Sequence, residues 1–479
     1  MDIGLLSEKA REFWNRESLP ALKAFITRGA LSPAFDPKWE ERGVLLRVCR
    51  EASEFGLRAY PSGTFTVEKD PGLTPALAFS IPGTGGFEKT PGNTVFFYGH
   101  LDTQPHASGW SEGLGPTEPV VRDGKLYGRG AADDGFAFYA AVTAARALDA
   151  AGVARPRFVG LIETCEESGS GDIRHYLERN AALFGNPKLA CLLDTSAGDY
   201  ERLWLTCSLR GWAAADLRIR MLTKGIHSGT AGGMVPSTFD VLRILLDRIE
   251  DAETGEFHVP GLPSGIPESR KEDLRKQAET LGDAFLGNLP WYRHPDGSKA
   301  RSRYGTALEA LENRCWKPSL SITGVGGIPP LDSAANLVRP ETAVRLSFRT
   351  PPETDASAFM PSLEKLLTGN PPFNAGVTLE NTVSLPGWVA PEEAPWFRNA
   401  YDAGSRALWG KDAMRSGEGY SLPTIPLFAS RFPRAQFAVT GAQGPDSNAH
   451  SADESLDLAY AEKFVAAVAV LASAVPEGE

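Results

Sequence analysis

Cysteine is scarce in this chain. Five residues of 479, Cys49, Cys165, Cys191, Cys207 and Cys315, are scattered without CxxC spacing. An odd, dispersed set excludes a disulfide framework and a four-thiolate zinc site, and it reads as the reduced thiols of a cytoplasmic protein. A basic excess is missing too: the formal net charge is −11. That excludes nonspecific binding to nucleic acid or anionic lipid, where cationic side chains must displace counterions. No apolar run approaches the ~20 residues that span a bilayer. The stretch from Met1 to Phe13 carries Asp2, Glu8, Lys9, Arg11 and Glu12 and lacks the apolar centre of a secretory signal. Histidine is rare as well, with seven in all, so the place of each one is informative.

What is present suffices for real cores, with 42% hydrophobic residues, and 479 residues exceed one ordinary core. Two domains are therefore expected. The first part alternates helix and strand patterns. Ser7 to Arg28 and Pro37 to Phe55 have helical apolar spacing, and Thr94 to Tyr98 (TVFFY) is a short strand buried on both faces. Asp134 to Ala150 is an Ala-rich helix, Arg157 to Thr164 (RFVGLIET) a second strand, Asp172 to Leu183 a helix and Leu189 to Leu193 a third strand. This order predicts an α/β domain with a mostly parallel sheet and helices on both faces.

From about Leu205 the pattern changes. Trp212 to Met221 alternates like a half-exposed strand, Ser237 to Ile249 is an amphipathic helix, and a proline-punctuated polar stretch runs from Pro260 to Arg303. Strands at Ser319 to Thr323 and Ala343 to Phe348 follow, with a helix near Asp355 to Leu367. These read as an inserted α+β domain with an antiparallel sheet. A strand at Gln436 to Thr440 and a terminal helix from Asp453 to Val475 return to the first style. The expected division is 1–208 and 386–479 for an interrupted α/β domain, and 209–385 for the insert.

The chemistry-bearing residues sit just after the strands of the α/β domain, where open parallel sheets gather ligands. His100 and Asp102 stand in GHLDT, and an imidazole can take a metal while a nearby carboxylate orients it. Asp133 and Asp134 stand in GRGAADDG. Either could cap the following helix, or one could bridge two cations, since a carboxylate has two oxygens. Glu166 and Glu167 follow the next strand, where one could bind metal and the other hold a water as general base. Asp194 ends the third strand, and His450 lies in DSNAHS after the last one. Nitrogen and oxygen donors without thiolate favour zinc, manganese or cobalt, and two cations sharing a carboxylate form a hydrolytic site.

Taken in order, the motifs GHLDT, GRGAADDG, EESGS, KGIHSG and NAHS resemble those of the dinuclear-zinc metallopeptidase family. That family includes carnosinases, cytosolic nonspecific dipeptidases, acetylornithine deacetylase, succinyl-diaminopimelate desuccinylase and glutamate carboxypeptidase. The long insert resembles its dipeptidase branch. The resemblance implies two Zn2+ per chain, with Mn2+ or Co2+ as substitutes: His100 and Asp194 on one ion, Glu167 and His450 on the other, and Asp133 bridging. It implies Glu166 as general base, Asp102 as the residue that orients His100, and a cis peptide between Asp133 and Asp134. It further implies that the insert is a lid and dimerisation domain, that His227 reaches the partner's site in a homodimer as an oxyanion donor, and that Arg349, Asn336 and Ser421 contact substrate. The expected activity is cleavage of a small peptide near a free C-terminus. Hydrolysis of an N-acyl amino acid by the same machinery is the alternative, and neither nucleic acid nor membrane is an expected partner. The chain departs from the family pattern at Gly135, where a lysine is common, and at Tyr420, where a glycine is common.

Overall fold

The run Thr94–Tyr98 becomes the middle of a six-stranded sheet. In the computed structural model, which describes residues 1–90, 92–263, 265–287 and 289–477, the strand order is Thr64–Glu68, Ala76–Ile81, Arg157–Glu163, Thr94–His100, Leu189–Leu192 and Gln436–Val439. The last four strands run parallel. The first two join them antiparallel at one side, so the sheet is mixed but mostly parallel. The sequence reading passed over these two strands; Gly63 and the Pro71-Gly72 turn flank short runs that carry no long apolar signal.

Every residue of Thr94–His100 is buried, as a strand covered on both faces requires. Side chains alternate along a strand. On one face Phe96 and Tyr98 pack against Phe428, and Phe96 also meets Phe184 and Phe432. On the other face the helix Phe136–Ala150 lies so close that a Cβ at Gly99 would come within 2.5 Å of the Ala137 Cβ and 2.6 Å of Asp134 Oδ2. Small residues make this approach possible, and nearly every position of that helix is buried. It also packs against the helices Ile3–Phe13 and Leu458–Ser473. The terminal helix starts at Leu458, later than its pattern suggested, because Ser455–Asp457 pairs with Lys125–Tyr127 and Asp457 then caps the helix by accepting from Tyr460 N.

The chain divides into two units. The first comprises Met1–Thr206, Ala390–Arg415 and Leu427–Glu479, and the second Cys207–Val389 and Ser416–Pro426. The segment Ser416–Pro426 thus lies with the second unit, whereas the sequence reading assigned all of 386–479 to the first. The second unit holds a four-stranded antiparallel sheet in the order Ser319–Gly326, Glu341–Thr350, Gly211–Arg220, Gly376–Leu385. Leu217, Ile219, Leu346 and Phe348 build its core with Leu245 and Leu363 from the helices Thr238–Asp247 and Ala356–Thr368. The polar stretch from Pro260 contains the helix Glu268–Leu281, which packs on Ala307–Trp316.

Candidate metal centre

The strand Thr94–His100 delivers a fully buried imidazole to the carboxyl edge of the sheet. His100 Nδ1 lies 3.0 Å from the carbonyl oxygen of Asp102 and 3.4 Å from its Oδ1. Asp102 has a second task. Its carboxylate accepts from the backbone N–H of Glu166 at 3.2 Å and of Glu167 at 3.1 Å, so one residue fixes both the imidazole and the turn that carries the two glutamates. With Nδ1 committed, Nε2 faces Asp133 Oδ1 at 3.3 Å and Asp194 Oδ2 at 3.8 Å.

Asp133 sits in the glycine-rich loop, and its peptide bond to Asp134 is cis. The loop is held from within by Glu454, which the sequence reading did not single out. One oxygen of this fully buried carboxylate accepts from the backbone N–H of Gly130, Ala132 and Asp133, and the other accepts from Arg129 at 2.6 Å. Asp134 turns inward, where Oδ2 accepts from His100 N at 3.3 Å.

The second histidine arrives from the loop after Gln436–Val439. His450 Nε2 lies 2.9 Å from Asp133 Oδ2 and 3.5 Å from Glu167 Oε2. The two oxygens of Asp133 therefore face two different histidines. Two donor groups follow, His100 with Asp133 and Asp194, and Asp133 with Glu167 and His450, each with ligand atoms within 4.8 Å of one another. The imidazole of His450 is 55% exposed while that of His100 is sealed, so the cluster opens towards solvent on one side. Gln104 steadies Glu167 with a 2.6 Å hydrogen bond, and Gln443 reaches Asp194 at 3.2 Å.

Two observations make these residues fit divalent cations. His100 Nε2 is buried and has no hydrogen-bond partner among the described residues, an expensive state unless the nitrogen serves as a ligand. The carboxylates are also packed against one another with little compensation. Burial, with the charge of Glu167 adding to it, pushes Glu166 up to about 8. Burial and the charge of Asp133 push Glu167 up to about 7, and Asp194 is driven well above the carboxylate range by burial. Asp133 moves the other way: against its burial, the facing imidazoles of His100 and His450 hold it low. A set of imidazole and carboxylate donors at this density suits borderline metals such as zinc or manganese.

The remaining residues singled out from sequence all lie in the second unit, in two groups. Arg349 Nη1 donates to the Ser421 hydroxyl at 2.9 Å, and Ser421 donates to the carbonyl of Arg210 at 2.6 Å. His227 and Asn336 are neighbours on a short ladder in which Ile226 and His227 pair with Val338 and Leu337, and Ser228 N donates to the Asn336 carbonyl. Nδ1 of His227 accepts from Gly229 N at 3.1 Å. In the neutral ring this leaves the proton on Nε2 as a donor.

The supporting groups that sequence reasoning missed, Gln104, Arg129, Gln443 and Glu454, carried a faint signal at most. Gln104 and Arg129 lie within or beside the motifs, and Glu454 follows His450 by one helical turn's spacing. Their burial, which gives them their roles, is not written locally.

Comparison with known proteins bears on this arrangement. The family model described as peptidase family M20/M25/M40 matches residues 96–477. The cysteinylglycine-S-conjugate dipeptidase of Corynebacterium striatum is 26% identical over 373 residues, covering 76% of this chain and 77% of that protein. The β-Ala-His dipeptidase of Homo sapiens is 27% identical over 357 residues, 72% of this chain and 67% of that one. The solved structure of the dipeptidase Dug1p from Saccharomyces cerevisiae shares the fold with a TM-score of 0.73 at 21% identity, covering 99% of this chain and 98% of that one.

Proposed function

Since the chain belongs to peptidase family M20/M25/M40, we propose that it is a metal-dependent dipeptidase that cleaves the peptide bond next to a free C-terminus. The observation that carries this reading is the double engagement of Asp133, whose two oxygens face His100 and His450 separately. We assign two Zn2+ per chain: His100 and Asp194 would hold one, Glu167 and His450 the other, and Asp133 would serve both. Such ions, when bound, polarise a carbonyl and acidify water.

The protein's own groups do the rest. Glu166 is the base: its carboxylate takes a proton as the water oxygen bonds to the carbonyl carbon, and returns it to the amine nitrogen as the C–N bond breaks. Asp102 keeps Glu166 in place through its backbone N–H and keeps the His100 ring oriented. Arg349 pairs with the substrate's terminal carboxylate in a two-point contact that a lysine cannot copy, and Ser421 and Asn336 also contact substrate. The five cysteines are buried thiols, in keeping with a reducing, cytoplasmic location. No helix among the described residues is long and apolar enough to cross a membrane.

A substrate panel tests the proposal. Dipeptides with a free C-terminus should be cleaved, and their C-terminal amides should be poor substrates because Arg349 loses its charged partner. N-acetyl and N-succinyl amino acids should lag behind the dipeptides. Equal turnover of amide and free acid would remove Arg349 from its role, and preference for N-acyl amino acids would make the enzyme a deacylase.

The second unit also supports a homodimer. Its strand Ser319–Gly326 is an edge strand, and Ile322, Val325, Leu331 and Leu337 are exposed there or nearby, Leu331 to 95%. A bare apolar edge is a pairing surface that soluble chains normally cover, and a second copy is the occupant we assign. On this reading His227 donates to the oxyanion in the partner's site. Each of Glu166→Gln and His227→Ala alone should be nearly inactive, since an oxyanion donor is worth roughly 10²–10³ in rate. Mixing the two variants should restore activity, because a hybrid dimer has one site with both groups. If subunits exchange and no activity returns, His227 does not act across the dimer.

A further inference from the structure

The second unit gathers three arginines with little counter-charge. Arg210 is buried and, among the described residues, donates to neutral acceptors: Nε to the Gly419 carbonyl at 3.0 Å, and Nη1 to the Lys317 carbonyl and the Ser319 hydroxyl, each at 3.1 Å. Arg349 donates to the Ser421 hydroxyl. Among the described residues, Arg314 alone of the three has a carboxylate partner, Glu418 at 2.5 Å. Burial, with the charges of Arg349 and Arg314 adding to it, pushes Arg210 down to about 10. A guanidinium withdrawn from water without an anion is costly, and Arg210, the buried one of the three, has no carboxylate partner among the described residues, which leaves it a place for one.

That place is a cavity of about 480 Å³. Arg210 and Arg314 stand in its wall together with Phe257, Phe285, Tyr304 and Leu320. Arg314 lies over the Phe285 ring at 5.6 Å, which holds its head group against an apolar surface. The one carboxylate in the wall among the described residues, Glu250, is raised by burial and faces the charge of Arg303. The cavity adjoins Arg349 through two serines. Ser319 is the register partner of Arg349 and accepts from Arg210, while Ser421 accepts from Arg349 and donates to the Arg210 carbonyl.

We propose that this cavity is a second anion subsite, in which Arg210 and Arg314 bind the side-chain carboxylate of an acidic C-terminal residue. The proposal rests on the reading of Arg349 as the partner of the same residue's α-carboxylate. Phe257 and Phe285 cover the methylene stem, and the guanidinium groups supply charge-assisted hydrogen bonds to the head. The enzyme is then selective for dipeptides ending in Glu or Asp over their uncharged isosteres.

The test compares Ala-Glu with Ala-Gln, which differ by one charged group. The ratio of kcat/KM should be at least about tenfold in favour of Ala-Glu, from one or two charge-assisted hydrogen bonds. It should collapse towards one in Arg314→Gln. Because that change strands Glu418, the double variant Arg314→Gln/Glu418→Gln is measured alongside it, with thermal melting as the check on folding. In a Glu166→Gln background, calorimetric titration with both dipeptides reads binding without turnover and should show the same preference. If both dipeptides are cleaved or bound equally well by the native pocket, the second subsite is refuted while the dipeptidase reading stands. If neither is hydrolysed yet Ala-Glu binds tenfold tighter and the double variant abolishes the difference, the subsite stands and the dipeptidase reading falls.

Discussion

Glu166→Gln is expected to lower kcat by roughly 10²–10⁴, the range for loss of a general base, with metal content unchanged. Gln keeps the volume and one acceptor oxygen but cannot take up a proton. The side chain is held beside the ligand set without belonging to it: Glu166 joins neither donor group, whereas the adjacent Glu167 does. Its backbone N–H is fixed by Asp102, so the substitution should leave the turn intact. Two measurements decide the outcome together, steady-state rates and metal analysis by mass spectrometry. Near-native turnover would remove Glu166 as the base, and loss of an ion would make it a ligand.

Asp133→Ala should abolish activity and cost both ions at once. Its two oxygens are 3.3 Å from His100 Nε2 and 2.9 Å from His450 Nε2, and among the described residues it is the side chain that the two donor groups share. His450→Ala should weaken one ion only, because His100, Asp133 and Asp194 remain. Native mass spectrometry of the two variants separates the cases by stoichiometry: about none bound in the first and about one in the second. Loss of a single ion in both variants would refute the bridge. Neither variant should fail to fold for lack of loop support, since Glu454 and Arg129 still hold the backbone around position 133.

The strands that carry the site were legible because buried parallel strands are continuous apolar runs, and TVFFY and RFVGLIE became Thr94–His100 and Arg157–Glu163. The two antiparallel strands Thr64–Glu68 and Ala76–Ile81 were not, because short runs between turns offer little periodicity. The hydrophobic pattern also hid the return of Ser416–Pro426 to the second unit, since a short crossing segment carries no compositional mark.

By itself the sequence determined which residue types could bind metal and where along the chain they stood, at the ends of successive strands in loops of small residues. It also placed an antiparallel insert between two α/β segments. Composition and spacing could not pair His100 with Asp194 or bring His450 to Asp133, which the family resemblance alone implied, because those distances depend on strand order: Thr94–His100 lies beside Leu189–Leu192, which lies beside Gln436–Val439. Nor could it distinguish Glu454 from a surface acid, or Arg210 from a surface base. A charged side chain declares its role through burial and partners, and both are set by contacts with residues hundreds of positions away.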